Sequence, residues 1–435
     1  MIAILIVVSW KGHHPLWCSQ YIRACAPFSR RIYVICPDEV NPLNGLEKPD
    51  ALFEKISVLH FSNNSSKTGF KNFGDLKSDF RELRTLVTSI EESNPGEKLF
   101  IFHTSLDCLF IGVSTLPLLA LNIRRLFPWP FSGMLMSPDR RWPLQGARRL
   151  IERFFNRNQE ITAPVGFLKS IMDGALQLTG NLLRACYLWQ RNLVLKRSRC
   201  EQILVLDERY QQWLSRKTGK RILEFPDTTF TGVSETPSPI VQMIAEKKQG
   251  QVVVGLLGEM SRRKGTDLLL DVIQKHDTKG LLFVIAGTCD STAFSPDQRA
   301  FLEEGIYKKD NVIYSPETVP SEEDFNAIIE SCDIIYCVYR DHLHSSGIIS
   351  KAVAFRKPVL VSEGQLMAKR VRDYGIGVVL PEQTPTACLK ALQQLSATDY
   401  REGILRAGKF ERYSKDHSFE RYQQIMSTLI KGSSI

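Results

Sequence analysis

The chain has 435 residues, 43% of them hydrophobic and 24% charged, with a formal net charge of +9 at pH 7. Such a length and composition describe two or three globular domains with sizeable cores, and exclude a fibrous, disordered or disulfide-stapled chain. No segment is apolar for long enough to span a bilayer, and no ribonucleoprotein or zinc-module motif accompanies the positive charge, so no nucleic-acid partner is expected.

The first element is the apolar run Ile2 to Val8. It lacks the basic flank and small-residue cleavage site of a signal peptide and reads as a buried strand. The turn Ser9-Trp10-Lys11-Gly12 follows, and further strands are expected at Arg31 to Cys36, Ile56 to Phe61, Lys98 to His103 and Phe131 to Met136. Helical spacing fills the gaps, as in Leu76 to Ile90 and Leu109 to Leu126. Continuous apolar strands alternating with helices give an α/β fold, a parallel sheet covered on both faces.

Between positions 140 and 157 lie Arg140, Arg141, Arg148, Arg149, Arg153 and Arg157, and a second basic set, Arg191, Lys196, Arg197 and Arg199, comes soon after. This is either a solvated helical face or a surface that meets anionic lipid heads or a phosphorylated acceptor. The segment Val165 to Arg199 has helical spacing, with Leu178, Leu182 and Leu188 expected to face a core and interfacial membrane contact as the alternative. Strands follow at Gln202 to Leu206 and Ile222 to Phe225, with a helix from Asp207 between them. Pro226 to Pro239, rich in Thr, Ser and Pro, reads as a connector.

A second alternation begins at about residue 250. Its strands are Val252 to Leu257, Leu281 to Ala286, Asn311 to Tyr314, Ile334 to Val338, Pro358 to Ser362 and Val378 to Leu380. Helices between them include Thr266 to Lys275, Ser321 to Glu330, Gly347 to Phe355, Leu366 to Asp373 and Thr386 to Leu395. The organisation is therefore a domain over 1–225, a connector over 226–249, a domain over 250–412 and a terminal helix within 413–435. The ten cysteines form no CxxC pair; even Cys332 and Cys337 lack histidine partners, which argues against zinc and for a reducing cytoplasm.

Two segments carry chemistry. In Gly258-Glu259-Met260-Ser261-Arg262-Arg263-Lys264-Gly265 a glycine turns the chain off a buried strand, and Arg263 and Lys264 offer cationic donors to a diphosphate. The plainer alternative is a strand-to-helix turn with solvated basic residues. In His344-Ser345-Ser346-Gly347-Ile348 a helix begins after a strand, so free amides, hydroxyls and the positive dipole end coincide in an anion cradle. Here the plainer alternative is that Ser346 only caps the helix. In the first half, His13, His14, His103 and Asp107 follow buried strands, where acceptor contacts and acid–base groups sit. His103 is the strongest catalytic candidate among them, although a lone histidine is more often packed in a core.

The two motifs, in their order and spacing, resemble the C-terminal domain of retaining GT-B glycosyltransferases (the group 1, or family 4-like, enzymes), and residues 250 to 410 carry most of the resemblance. It implies two Rossmann-like domains whose parallel sheets face an interdomain cleft, with the terminal helix returning to the first domain. It implies a nucleotide diphosphate sugar as donor substrate, held by Gly12, Gly258, Arg263, Lys264, Ser345, Ser346, Gly347 and Ile348. Lys264 also serves catalysis by stabilising the departing diphosphate. His13, His14 and Asp107 fall on the acceptor side. The acceptor would be a saccharide or a lipid-linked sugar of cell-surface polysaccharide synthesis, handled by a cytoplasmic hexosyltransferase touching the anionic inner face of the membrane. No cofactor is implied, and no metal, since no Asp-x-Asp motif appears and protein cations can replace one.

This chain also departs from the pattern. Glu259 stands where the family commonly has arginine. The family's Glu-x7-Glu pair is missing: the first glutamate falls on Leu343 or His344, the second on Lys351 or Ala352. Glu363 is the nearest carboxylate that could substitute. Ser137 stands where a histidine is frequent. These departures keep open a non-catalytic GT-B module that binds a nucleotide or a partner, and a GT-B epimerase or phosphorylase; no motif supports a pyridoxal phosphate lysine.

Overall fold

A computed structural model describes residues 1–7, 14–38, 41–43, 52–61, 73–104, 106, 116–135, 178, 181–182, 185–364 and 366–432. Two compact units result: Met1–Phe225 together with Gln423–Ile435, and Pro226–Tyr422.

Unit 1 holds a seven-stranded parallel sheet in the order β3-β2-β1-β4-β5-β6-β7. Its strands are β1 (Ile2–Ile6), β2 (Arg31–Pro37), β3 (Ile56–Phe61), β4 (Leu99–His103), β5 (Phe131–Leu135), β6 (Cys200–Val205) and β7 (Arg221–Glu224). The central strands are apolar on both faces because helices cover both; every residue of β1, β4 and β5 is buried. β1 lies between β2 and β4, with Ile4 beside Tyr33 on one side and Ile101 on the other.

Unit 2 repeats the scheme with six parallel strands in the order β10-β9-β8-β11-β12-β13. They are β8 (Val252–Leu257), β9 (Leu281–Ala286), β10 (Val312–Ser315), β11 (Ile334–Cys337), β12 (Val359–Ser362) and β13 (Gly377–Leu380). Each sheet reverses its strand order once, at β1/β4 and at β8/β11, which makes both units Rossmann-like.

Three sequence expectations need correction. The connector expected over 226–249 contains the helix Pro239–Lys247, with Pro239 in its first turn and Ile244 buried, and it belongs to unit 2. Asn326 holds it there by donating to the carbonyls of Phe230 (3.0 Å) and Gly232 (2.8 Å). Leu178 and Leu182, expected to face a core, are each 64% exposed; in the same region Tyr187, Val194 and Leu195 are buried. The helix expected from Asp207 starts as a short 3-10 turn, Glu208–Tyr210, capped by the Asp207 carboxylate, before Gln211–Thr218. The cluster Arg140 to Arg157 lies outside the described residues. Among those described, no helix is long and apolar enough to cross a membrane.

Candidate functional site

In an open parallel sheet, ligands bind beyond the carboxyl ends of the strands at the point where the order reverses. In unit 2 that point lies between β8 and β11. The loops that follow these two strands carry the two segments singled out in the sequence.

The first loop leaves β8 at Gly258 with φ +89°, and a Cβ there would stand 2.8 Å from the Lys264 ammonium. The missing side chain is the space in which that cation sits. At the end of β9, Gly287 presses on the same backbone; a Cβ on it would come within 2.1 Å of the Gly258 carbonyl oxygen. Gly265 then starts the helix Thr266–Lys275, lying so close under the Val338 carbonyl that a Cβ would approach it to 2.1 Å.

Several bonds weld the two loops together. The Arg340 amide donates to the Arg263 carbonyl at 2.7 Å, and the Tyr336 hydroxyl donates to the Gly265 carbonyl at 2.9 Å. Arg340 and Arg262 reach the Asp267 carboxylate at 3.0 and 3.7 Å. Burial pushes the Asp267 carboxyl up, and Arg340 opposes that rise.

Tyr339, just past β11, is the centre of the arrangement. The Arg263 guanidinium and the Lys264 ammonium lie 5.8 and 5.9 Å from its ring centre. Its hydroxyl accepts from Ser346 Oγ at 3.3 Å, and the His342 ring meets it edge-on at 5.2 Å. His342 Nε2 lies 3.0 Å from the Ser345 carbonyl, which can only accept, so the ring proton sits on that nitrogen. Burial brings the His342 pKa down to about 4, with His344, Arg263 and Lys264 adding to the fall.

The cations are employed differently. Arg262 and Arg340 share Asp267, and Arg263 meets Glu259 at 3.4 Å. Lys264 donates to the Leu257 carbonyl at 3.4 Å and makes no ion pair among the described residues. Burial lowers its pKa, and the neighbouring Arg263 lowers it further while Cys337 opposes. A half-buried ammonium in this state gains from an arriving anion. Beside it begins the helix Gly347–Ala354. Ser346 stands at its N-cap position, but its side chain makes no capping bond and turns instead to Tyr339. The Ile349 amide donates to the Ser346 carbonyl at 2.9 Å, while the amides of Gly347 and Ile348 stand at the positive dipole end of the helix.

From Gly258 a pocket of about 330 Å³ extends past the ends of β8, β9 and β10. Gly287 and Thr288 form one part of its wall; Thr318, Val319, Pro320 and Ser321, with Glu322 and Phe325 of the helix Glu322–Ser331, form another.

The structure thus brings together Gly258, Arg263, Lys264, Ser345, Ser346, Gly347 and Ile348, whose Cδ1 lies 4.0 Å from a Cβ placed on Gly258. Two other assignments change. His103 is 1% exposed, wedged between Phe127 (5.4 Å) and Phe131 (5.0 Å), and burial depresses its pKa to about 3. A ring buried this way and held neutral is placed as a packed core side chain of unit 1. Glu363 is bound by Arg372 at the surface, and that bond holds its carboxyl below the usual range. Two carboxylates line the pocket: Glu259, which meets Arg263, and Glu322. His14 opens the helix His14–Cys25; Gly12, His13, Asp107 and Ser137 lie outside the described residues. Sequence reading missed Tyr339 and His342, and gave Asp267 at the end of the first motif no role. The one available signal was their position beside the two motifs, immediately after a strand or a Lys-Gly step.

No protein-family model matches the chain, and no curated protein matches it. Solved structures do. Sucrose-phosphate synthase from Thermosynechococcus elongatus superposes with a TM-score of 0.61 at 12% identity, over 99% of this chain and 98% of that one. Anabaena HepE in complex with UDP gives 0.61 at 15% identity, over 99% and 100%. WaaG, a glycosyltransferase involved in lipopolysaccharide biosynthesis, gives 0.58 at 11%, over 99% and 100%. At these identities the likeness defines the architecture: the chain has the GT-B fold of two Rossmann-like units.

Proposed function

We propose that the protein transfers a sugar from a nucleotide diphosphate sugar to a saccharide or lipid-linked acceptor. The observation that carries this reading is the Lys264 ammonium, half-buried without a carboxylate partner among the described residues, between an uncapped helix start and a pocket of nucleoside size. The solved relatives include HepE in complex with UDP and glucose and a trehalose-6-phosphate protein from E. coli bound with UDP-2-fluoro glucose. On this reading, Lys264, Arg263 and the amides at Gly347 and Ile348 hold the diphosphate and stabilise the charge that develops as it leaves. With His103 sealed in the core, the departing phosphate itself takes the acceptor proton. The pathway suggested is cell-surface polysaccharide synthesis. Contact with an anionic membrane surface is part of the proposal, supported by Lys77, Arg81, Arg84 and Arg125 around one groove of unit 1 and by Leu121, 71% exposed on the same helix as Arg125.

Titration calorimetry with UDP and GDP, followed by turnover assays with several nucleotide sugars, tests the reading. Saturable binding is expected, with Lys264→Ala weakening it about 10- to 100-fold, the worth of a charge-assisted bond, and abolishing turnover. Binding without turnover favours the second reading, a nucleotide-binding GT-B module, which the cation Lys351 in place of a carboxylate motivates. Absence of nucleotide binding overturns both.

A further inference from the structure

Lys351, at one of the two positions where a carboxylate is expected, is only 12% exposed in its side chain. Its ammonium is held by three acceptors: Glu322 Oε2 at 2.6 Å, Asn326 Oδ1 at 2.8 Å and the Phe230 carbonyl at 3.4 Å. Asn326, fully buried, is itself tied to the Phe230 and Gly232 carbonyls, so the clamp is anchored in the packed part of unit 2. Glu322 is its outer member. Its side chain is 52% exposed, it lines the pocket that starts at Gly258, and its second oxygen has no partner among the described residues.

A lone carboxylate near the Lys264 cradle would repel a diphosphate. Paired at 2.6 Å with Lys351, Glu322 keeps its acceptor lone pairs while its charge is offset. Such a group suits a ligand that brings two adjacent hydroxyl donors, and Rossmann-like sites read the ribose diol with an acidic side chain in this way. The apolar faces of Val319, Pro320 and Phe325 in the same pocket suit the flat base of a nucleoside better than a hexose.

We infer that the Glu322–Lys351 pair is the ribose clamp of this protein, a reversed-charge device in which Lys351 positions the Glu322 carboxylate to accept from the 2′- and 3′-hydroxyls of the bound nucleotide. The inference rests on the nucleotide-sugar reading above and assigns the recognition of the ribose.

The test is calorimetric titration of the whole protein with UDP, GDP and their 2′-deoxy counterparts, with inorganic pyrophosphate as a probe of the phosphate cradle alone. The wild type is expected to prefer the ribonucleotide by about tenfold, the worth of one well-placed hydrogen bond. In Glu322→Gln and Glu322→Ala that preference falls to within about twofold, while pyrophosphate binds as before. Lys351→Met, which keeps the length but removes the clamp, reduces the preference without touching the carboxylate. If ribonucleotides bind and the ribose preference is the same in both Glu322 variants, the clamp is wrong while the donor reading stands. If Glu322→Gln weakens a nucleotide sugar but leaves the ratio of UDP to 2′-deoxy-UDP unchanged, the carboxylate reads a sugar hydroxyl and the ribose assignment fails. If no nucleotide binds, the donor reading fails, and the clamp with it.

Discussion

Phe127 and Phe131 decide the chemistry of His103. In the folded chain its pKa is about 3, against 6.5 for the free side chain, because burial disfavours the charged ring. Between those values the unfolded chain holds a proton that the folded chain does not, so stability rises with pH across this window and is lost as pH falls from 6.5 toward 3. The slope from one such group is about 1.4 kcal/mol per pH unit. His103→Phe, or His103→Leu should the larger ring fail to fit, is expected to remove that slope from the unfolding of unit 1. Urea denaturation at pH 7, 6 and 5 measures it, and an unchanged pH dependence would contradict the core assignment. Turnover in a folded variant should remain within a few-fold of wild type, which a catalytic histidine would not allow. The sequence shows a histidine ending an apolar strand; it does not show that two phenylalanines more than twenty residues away fold over it. Lys264 was legible for the opposite reason. Its partners, Gly258 and Leu257, lie within seven residues, so the local motif already contains the geometry.

At the level of elements, the strands were read almost to the residue, because a strand buried on both faces must be apolar throughout. The helix Pro239–Lys247 escaped notice because its start lies in a run of Ser, Thr and Pro that resembles a loop, and its burial depends on Ile244 meeting unit 2. Helix starts also separate structure from function. Thr384 accepts from the Ala387 amide and caps the helix Pro385–Ser396, whereas Ser346 at its own helix start makes no such bond. Thr384→Ala should therefore cost about 1 kcal/mol, the usual worth of an N-cap. Ser346→Ala should cost less than about half of that and show its effect in pyrophosphate affinity instead. Thermal unfolding with and without pyrophosphate compares the two; a full capping loss at Ser346 would mean that it serves the helix and not an anion.

At the scale of the molecule, the repeated strand–helix alternation made two Rossmann-like units legible, but the assignment of the chain's last turns depends on packing that no local pattern records. The helix Phe419–Lys431 straddles the division: Tyr422 closes unit 2, and Gln423 onward belongs to unit 1. Met426 and Leu429 are fully buried, Ile425 and Ile430 nearly so, and the Leu429 carbonyl accepts from Gln202 Nε2 of β6 at 3.3 Å. Each such side chain returns about 1.5–3 kcal/mol on burial, and Gln202, 3% exposed, would lose its Leu429 partner and its cover. A chain ending at Tyr422 should thus lose several kcal/mol from unit 1 while the core of unit 2, closed by its own strands, keeps its stability. Scanning calorimetry separates the outcomes. The transition assigned to unit 1 is expected to move down by many degrees or disappear, with the unit 2 transition, identified by its upward shift on adding UDP, holding its position. Equal displacement of both transitions would show that the terminal segment is shared by the two cores and not held by the first alone.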